Sequence, residues 1–258
     1  MKNAAKIKTA FKAATNAAPK AAPKAAPNAT GRSAGKVSTK VAARNAAKPR
    51  ARPSVPARRT NAAMSAETQA NIIQAAIESL AEHGYAGTTM SGIANAVGVS
   101  RAALIYHFRS KNALMTAVIN AIYDEMNVMY RAAVHPALTP EERLLAVFDV
   151  SFYFTSSINQ MAQIELLLAA RRDPAFRKEV APTIKARDAN FEEAWHQLTA
   201  AITGDTDGGT GGRERLDLIR DFAVSVFRGI TINRSLNADT TSFDRQLLLL
   251  RKLLHESL

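Results

Sequence analysis

The segment from Gly84 to Lys111 constrains the fold more than any other part of this 258-residue chain. Thr88 or Thr89 can cap a short helix, because a threonine hydroxyl accepts a hydrogen bond from a free backbone N–H. The apolar residues that follow recur at the spacing of one helical face: Met90, Ile93, Ala94 and Val97. The pattern predicts a short helix that ends at Gly98.

A second short helix is predicted directly after a tight turn. Gly98 can adopt the left-handed conformation that ends a helix, and Ser100 can cap the helix that follows. This second helix runs from about Arg101 to Phe108, with Leu104 and Phe108 on its buried face. Two helices joined in this way are typical of a helix-turn-helix, whose second helix enters the major groove of DNA. The segment therefore predicts sequence-directed DNA binding.

The residues outside the buried face are candidate DNA contacts. Arg101 can donate two hydrogen bonds to a guanine or bind a phosphate, and small alanines let the backbone approach the groove. Tyr106 and His107 can bind phosphates, and Lys111 is expected to face the sugar-phosphate backbone. Each residue taken singly is more often an ordinary surface residue, so the prediction rests on the ordered set. That set is Thr88, Thr89, Ser100, Arg101, Ala102, Ala103, Tyr106, His107 and Lys111.

These motifs resemble the tetracycline-repressor (TetR) family of bacterial regulators over roughly Thr68 to Leu114. The matching residues are Gly84-Tyr85, Thr88-Thr89, Ile93-Ala94, Gly98-Val99-Ser100 and the run from Leu104 to Lys111. Ile105 stands where the family usually has a phosphate-binding tyrosine, and Ala102 where glycine is frequent. The resemblance implies an all-α fold, with an N-terminal three-helix DNA-binding domain followed by an all-helical ligand-binding and dimerisation domain.

The positive charge of the chain is concentrated at its N-terminus. The net charge is +12, yet residues 1–64 hold nine Lys and six Arg without any acid, a charge of +15. The rest of the chain has 19 basic and 22 acidic residues, a charge of −3. Ala-Pro-Lys repeats at residues 17–28 and scattered prolines leave few large apolar residues, so we predict a disordered tail for residues 1–64. Such a tail would bind DNA phosphates without reading bases.

Several alternatives for this tail stay open. It can be a solubilising or vestigial extension, a misassigned start upstream of Met64, or an organelle transit peptide. It can also dominate the function, which would make the chain a histone-like architectural DNA-binding protein.

Composition argues against other classes of protein. The absence of cysteine excludes disulfides, thiolate metal sites and cysteine nucleophiles. Five scattered histidines without metal-ligand spacing argue against an enzyme, and we expect no metal and no cofactor. There is no run of eighteen or more apolar residues and no apolar signal core, so we expect a cytoplasmic, nucleoid-associated protein without a membrane partner.

Helical patterns continue to the end of the chain, and no convincing strand is found. The first helix is expected from about Ala66 to His83, ending at Gly84. Later helices are expected at about 111–133, 139–157, 160–172, 174–202 with a break or kink at Pro182, 213–236 and 241–257, with a loop at 204–212. With about nine to ten helices in total, the predicted organisation is a tail (1–64), a helix-turn-helix domain (65–111) and an effector-binding and dimerisation domain (112–258).

The last two helices carry more apolar surface than one core face needs. We predict that they form a four-helix dimer interface with a second copy, because a protein that reads palindromic DNA needs two DNA-binding domains. The alternative is a monomer core. The predicted interface residues are Phe222, Val226, Gly229, Leu247, Leu250 and Leu254.

Apolar and aromatic residues in the middle of the chain are candidates for an effector pocket. Most residues of this kind are ordinary core, and His196 or Trp195 could supply the polar atoms of a pocket. The candidate lining is Met126, Phe148, Phe152, Met161, Ile164, Trp195, His196 and Phe222. The sequence thus predicts a transcriptional regulator, a repressor that binds palindromic double-stranded DNA as a homodimer and responds to an unknown small molecule.

Overall fold

The computed structural model describes residues 61–203, 210–236 and 241–257. Within these ranges the chain forms nine helices and no strand, which confirms the predicted all-α fold. They are α1 (Asn61–Gly87), α2 (Met90–Val97), α3 (Arg101–His107), α4 (Lys111–Ala133), α5 (Pro140–Phe154), α6 (Ile158–Arg172), α7 (Pro174–Thr203), α8 (Thr210–Leu236) and α9 (Thr241–Ser257). The predicted tail, apart from its last four residues, and loop residues 204–209 lie outside the described ranges.

Helix α1 starts earlier than predicted and is interrupted where its end was expected. Gly84 has φ 68° and ψ 176°, a conformation that only glycine adopts readily. The helix proper therefore ends before Gly84, and one further irregular turn leads to Gly87. Its buried stripe contains Ile72, Ala76, Ile77 and Leu80.

The caps of α2 and α3 follow the predicted chemistry. The Thr89 hydroxyl accepts a hydrogen bond from the Gly92 amide at 3.0 Å, and the Ser100 hydroxyl accepts one from the Ala103 amide at 3.1 Å. Gly98 is left-handed (φ 72°, ψ 28°), and its N–H bonds back to carbonyls of α2. Helices α1, α2 and α3 together form a small head, and α4 to α9 form the body.

The body helices begin at capped positions. Thr139 and Glu142 form the reciprocal hydrogen bonds of a capping box, with Pro140 in the first turn of α5. Helix α5 ends at Phe154 instead of the expected Ser157, because the Ser157 hydroxyl caps α6 by accepting from the Gln160 amide.

Of the break or kink predicted at Pro182, the break is absent, since α7 continues from Pro174 to Thr203 with Pro182 inside it. The proline nitrogen has no hydrogen to donate to the carbonyl of Lys178, and Lys178 is exposed, so water can satisfy that carbonyl. Helix α8 begins at residue 210, three residues before the prediction, whereas α9 spans the predicted 241–257.

Two apolar clusters fill the interior. The first runs without interruption from the head into the body; its members include Ile72, Leu80, Ile93, Leu104, Phe108, Val118, Ile122, Phe154, Leu166 and Phe176. The second lies among α5, α7, α8 and α9 and contains Leu144, Phe148, Trp195, Phe227, Leu247 and Leu250. Because α4 carries core residues for head and body alike, the two parts are packed as one unit.

The two left-handed glycines give a matched pair of stability predictions. Gly84→Ala should lower the free energy of unfolding by about 3 kcal/mol, because the backbone there is strained for any residue with a Cβ. A Cβ on Gly84 would also lie 2.9 Å from Glu165 Oε2. Gly98→Ala should cost only about 1 kcal/mol, since a Cβ there meets nothing within 4 Å. Urea unfolding of both variants would measure the difference, and equal losses would contradict this assignment.

Candidate nucleic-acid interface

One face of α3 is directed to solvent while the other is anchored in the core. Leu104 is fully buried and Phe108 is 5% exposed, so both hold the helix against α1 and α2. Arg101 and Ala102 are exposed, as is Tyr106 at 83% of its surface. The exposed arginine and tyrosine leave this face of α3 free to contact a partner.

The remaining predicted DNA contacts on and beside α3 differ in how exposed their side chains are. Thr89 and Ser100 are exposed at the starts of α2 and α3, and each hydroxyl can still donate while it accepts a capping hydrogen bond. Ala103 and His107 are half-buried, and the His107 ring contacts Tyr106 edge-on at 5.4 Å. Ile105, at the position that departs from the family pattern, is 42% exposed beside Tyr106.

The structure places two of the predicted contacts elsewhere. Thr88 is fully buried; its hydroxyl donates to the Gly84 carbonyl and contacts Ser79 Oγ at 3.0 Å. Lys111 turns towards α1, where its ammonium donates to the Tyr85 carbonyl and lies 3.9 Å from the centre of the Tyr85 ring. Burial lowers the pKa of Lys111. The expectation that these two side chains face DNA is corrected: both fasten the irregular end of α1.

Tyr85 is the centre of a joint between head and body, formed with Glu165, Phe176 and Asn112. The Tyr85 amide donates to Glu165 Oε2 at 3.3 Å, and its ring lies 4.9 Å from that of Phe176. Its hydroxyl contacts Asn112 Oδ1 at 3.2 Å, while Asn112 Nδ2 donates to Glu179 at 2.8 Å. Helices α6 and α7 of the body are thereby bonded to the base of the head.

An apolar surface covers the outside of α8 and α9. We call it the seam surface, and it consists of Leu218, Phe222, Ile232, Leu236, Leu248, Leu249 and Leu253, each 40% exposed or more. Three of the predicted dimer residues point the other way: Leu247, Leu250 and Leu254 are at most 5% exposed and belong to the monomer core. Val226 is half-buried against that core, whereas Phe222 is 59% exposed and space beside Gly229 is open. The predicted stripe was therefore wrong for the three leucines, because the neighbouring positions carry the free face of α9.

The body contains two neighbouring cavities. The inner cavity, of about 230 Å³, lies among α4 to α8 and includes Tyr123, Met126, Asp188 and Arg228 in its lining. Tyr123 contacts Asp188 at 3.2 Å, and burial together with that carboxylate raises the pKa of Tyr123 to about 12. The inner cavity is thus small and largely committed to internal polar contacts.

The outer cavity has a volume of about 630 Å³ and lies between α4 and α7, with the start of α5 at one end. Its lining includes Arg131, Arg143, Arg187 and Trp195. Tyr130 and Phe191 line both cavities, and their ring centres are 6.0 Å apart. These two rings form the partition between the cavities.

The predicted effector residues are distributed over several environments. Met126 lines the inner cavity and Trp195 the outer one. Phe148 packs edge-on against Trp195, Phe152 packs against the second cluster, and Ile164 is buried at 5% exposure. Met161 is half-buried, His196 pairs with Glu192 and Arg213, and Phe222 stands on the seam surface. The prediction that these eight residues share one pocket is therefore wrong.

Sequence patterns missed the three arginines of the outer cavity. Arg143 follows two glutamates at the start of α5, which looks like an ordinary solvated first turn. Arg131 and Arg187 likewise stand in polar stretches of long helices. Only the packing of α4 on α7 brings their side chains together.

Two other kinds of site are absent from the described part of the chain. No cluster of three or more His, Asp or Glu residues there is arranged to hold a metal ion. None of its helices is long and apolar enough to cross a membrane.

Comparison with known proteins agrees with the geometry of the head. Residues 72–118 match the family model described as "Bacterial regulatory proteins, tetR family". The HTH-type transcriptional regulator CymR of Pseudomonas putida is 31% identical over 140 residues, which is 54% of this chain and 69% of that protein. The HTH-type transcriptional regulator BetI of Brucella melitensis biotype 2 is 26% identical over 65% of this chain and 80% of its own length.

Solved structures show the same fold. A TetR transcription regulator from Haloarcula marismortui superposes with a TM-score of 0.56 at 22% identity, covering 74% of this chain and 96% of that chain. The sequence relatives and the head geometry agree, and the chain belongs to the tetR family of bacterial regulatory proteins.

Proposed function

We propose that this DNA-binding transcriptional regulator acts as a homodimeric repressor that binds a palindromic operator and releases it when a small molecule binds. The observation that carries the proposal is the solvent-directed face of α3, with Arg101 and Tyr106 exposed on a helix anchored by Leu104 and Phe108. A short anchored helix of this kind can enter the major groove without reorganising its own core.

The contacts with DNA divide by chemistry. Arg101 stands in the first turn of α3, where its guanidinium can donate two hydrogen bonds to guanine O6 and N7. Tyr106, Thr89 and Ser100 supply hydroxyl groups for phosphates, which position the head but carry no sequence information. His107, Ala102 and Ala103 are proposed to lie at the edge of the groove.

The seam surface is proposed to bury itself against a second copy. Seven large apolar side chains exposed on two adjacent helices are more than a monomer usually shows to water. A two-fold interface would place the same surface of both subunits face to face and hold two α3 helices about 34–36 Å apart, or a multiple of that distance.

The joint supplies a route from the body to the head. Helix α7 lines the outer cavity through Trp195 and also holds Tyr85 of the head through Phe176. A ligand that binds better to one arrangement of α4 and α7 would favour that arrangement and its head spacing. The shift cannot exceed the ligand's preference between the two arrangements.

Selection of bound duplexes from a random DNA pool tests the proposed function, with full-length protein and with a variant lacking residues 1–63. Both proteins should enrich the same palindrome, because α3 reads the sequence, while the shorter one should bind all duplexes more weakly and with less salt dependence. If only the full-length protein binds, and without an enriched palindrome, the chain is an architectural DNA-binding protein dominated by its basic segment.

Arg101→Ala should relax the preferred sequence at one position of each half-site. The expected loss is about 1–3 kcal/mol against the selected palindrome, with little change against unrelated duplexes. Arg109→Ala is the matched control, because Arg109 is exposed just after α3 and should act only as a phosphate contact. Competition binding at fixed salt measures both variants, and an unchanged sequence profile for Arg101→Ala would exclude that residue from base recognition.

Replacing Leu248 and Leu249 by Glu should convert the dimer into a monomer. A carboxylate buried in an apolar interface without a partner costs several kcal/mol. Leu168→Glu is the control, since Leu168 is exposed on α6, outside the seam surface. Sedimentation equilibrium should show a monomer only for the double variant. If the double variant remains dimeric, the seam surface is not the dimer interface.

A further inference from the structure

We propose that the outer cavity binds an organic monoanion, a carboxylate attached to a flat apolar body, and that this site is the effector site of the proposed function, on which the inference rests. Among the cavities lined by described residues, the outer cavity combines sufficient volume with unbalanced charge.

The size of the outer cavity suits a small organic molecule. Ligand pockets commonly have volumes of about 300–1,000 Å³, and the outer cavity has about 630 Å³. The inner cavity, at about 230 Å³, falls below this range. Helices α4, α5 and α7 all contribute to the outer cavity, so a bound molecule would contact three elements at once.

The charge of the lining favours an anion. Among the described residues that line the outer cavity there are three arginines and a single acid, Asp124. Arg187 already pairs with Asp124 at 2.6 Å, and its other nitrogens donate to Asn120. Arg131 and Arg143 are left without a carboxylate partner in the part of the chain that the structure describes. The inner cavity differs, since its lining holds three acids and two arginines.

Arg143 is the residue that most needs a partner. One of its terminal nitrogens donates to the Pro136 carbonyl at 2.7 Å, which fixes the side chain in place. Its Nε is buried and is the one buried side-chain nitrogen or oxygen in the described ranges without a hydrogen-bond partner. A guanidinium presents five donors in a planar fork that matches a carboxylate. A half-buried guanidinium without a carboxylate partner among the described residues favours an anionic ligand.

The rest of the lining suits an apolar ring. Tyr130, Phe191 and Trp195 are aromatic, and Val134, Val147 and Leu198 are aliphatic. Aromatic walls of this kind pack against a flat body at ordinary stacking distances. The carboxylate would lie towards Arg131 and Arg143, and the ring would extend towards Trp195.

The sequence itself provides a probe for this cavity. The chain contains one tryptophan, Trp195, and its side chain is part of the lining. Titration with 3-phenylpropionate, followed by the fluorescence of Trp195, therefore reports directly on occupation of the site. Excitation at the red edge of the indole band avoids absorption by the phenyl ring. The expected result is a saturable change with a Kd of about 1 mM or tighter, and binding of the neutral 3-phenylpropionamide at least about tenfold weaker.

Arginine variants separate charge recognition from simple apolar binding. Arg143→Met and Arg131→Met should each weaken binding of the acid by about 10- to 100-fold, the worth of a charge-assisted hydrogen bond, and leave binding of the amide unchanged. Arg245→Met, at an exposed position on α9, is the matched control and should change neither. If loss of the Pro136 contact prevents Arg143→Met from folding, Arg131→Met carries the test, because Arg131 is exposed.

The outcomes distinguish this inference from the proposed function. A protein that binds its selected palindrome but shows no saturable response, or binds acid and amide equally, overturns the monoanion site alone. A protein that binds the acid through Arg131 and Arg143 but prefers no DNA sequence overturns the proposed function and leaves the site standing. Acid binding that survives both arginine variants also overturns the inference.

Discussion

The packing of the broken end of α1 against the body is the interaction on which the rest of the structure depends. Gly84 turns the chain in a conformation that only glycine adopts readily, and Tyr85 then meets Glu165, Phe176 and Lys111. The apolar cluster beneath this joint continues from the head into α4, α5, α6 and α7. Because packed interiors have few arrangements, the head cannot shift without a matching change in the body. That property lets a regulator respond at its DNA-binding helix to an event in its body.

Local chemistry made much of the head predictable from the sequence. Thr89, Gly98 and Ser100 cap or end helices by contacts within a few residues, so their roles follow from the spacing alone. Tertiary packing decided the rest. Lys111 resembled a phosphate contact by position, but the irregular turn after Gly84 presents the Tyr85 carbonyl and ring to it. On α9, apolar residues on nearly every face hid which stripe faces the core, and the exposed Leu248 and Leu249 lie next to the buried Leu247 and Leu250.

The body shows why a pocket is harder to predict than a helix. Aromatic residues such as Phe148 and Phe152 fill the core, as most residues of this kind do. The outer cavity instead depends on charged residues, Arg131 and Arg143, that a sequence pattern assigns to the surface. Both side chains line the same cavity because α4 crosses α7 near the start of α5. The physical signal is a half-buried guanidinium without a carboxylate partner among the described residues, beside a roomy cavity with three aromatic side chains in its lining, which only the packed structure reveals.

The continuity of the interior is tested most directly by urea unfolding followed at Trp195, with and without a saturating selected operator duplex. Trp195 lies in the second cluster, away from the head, so it reports on the body. If head and body unfold together, operator bound to the head should raise the free energy of unfolding measured at Trp195 by about 2.7 kcal/mol at free operator 100 times Kd. The account would be contradicted if the midpoint of the Trp195 transition were the same with and without operator, while the operator was still bound at urea concentrations below that midpoint.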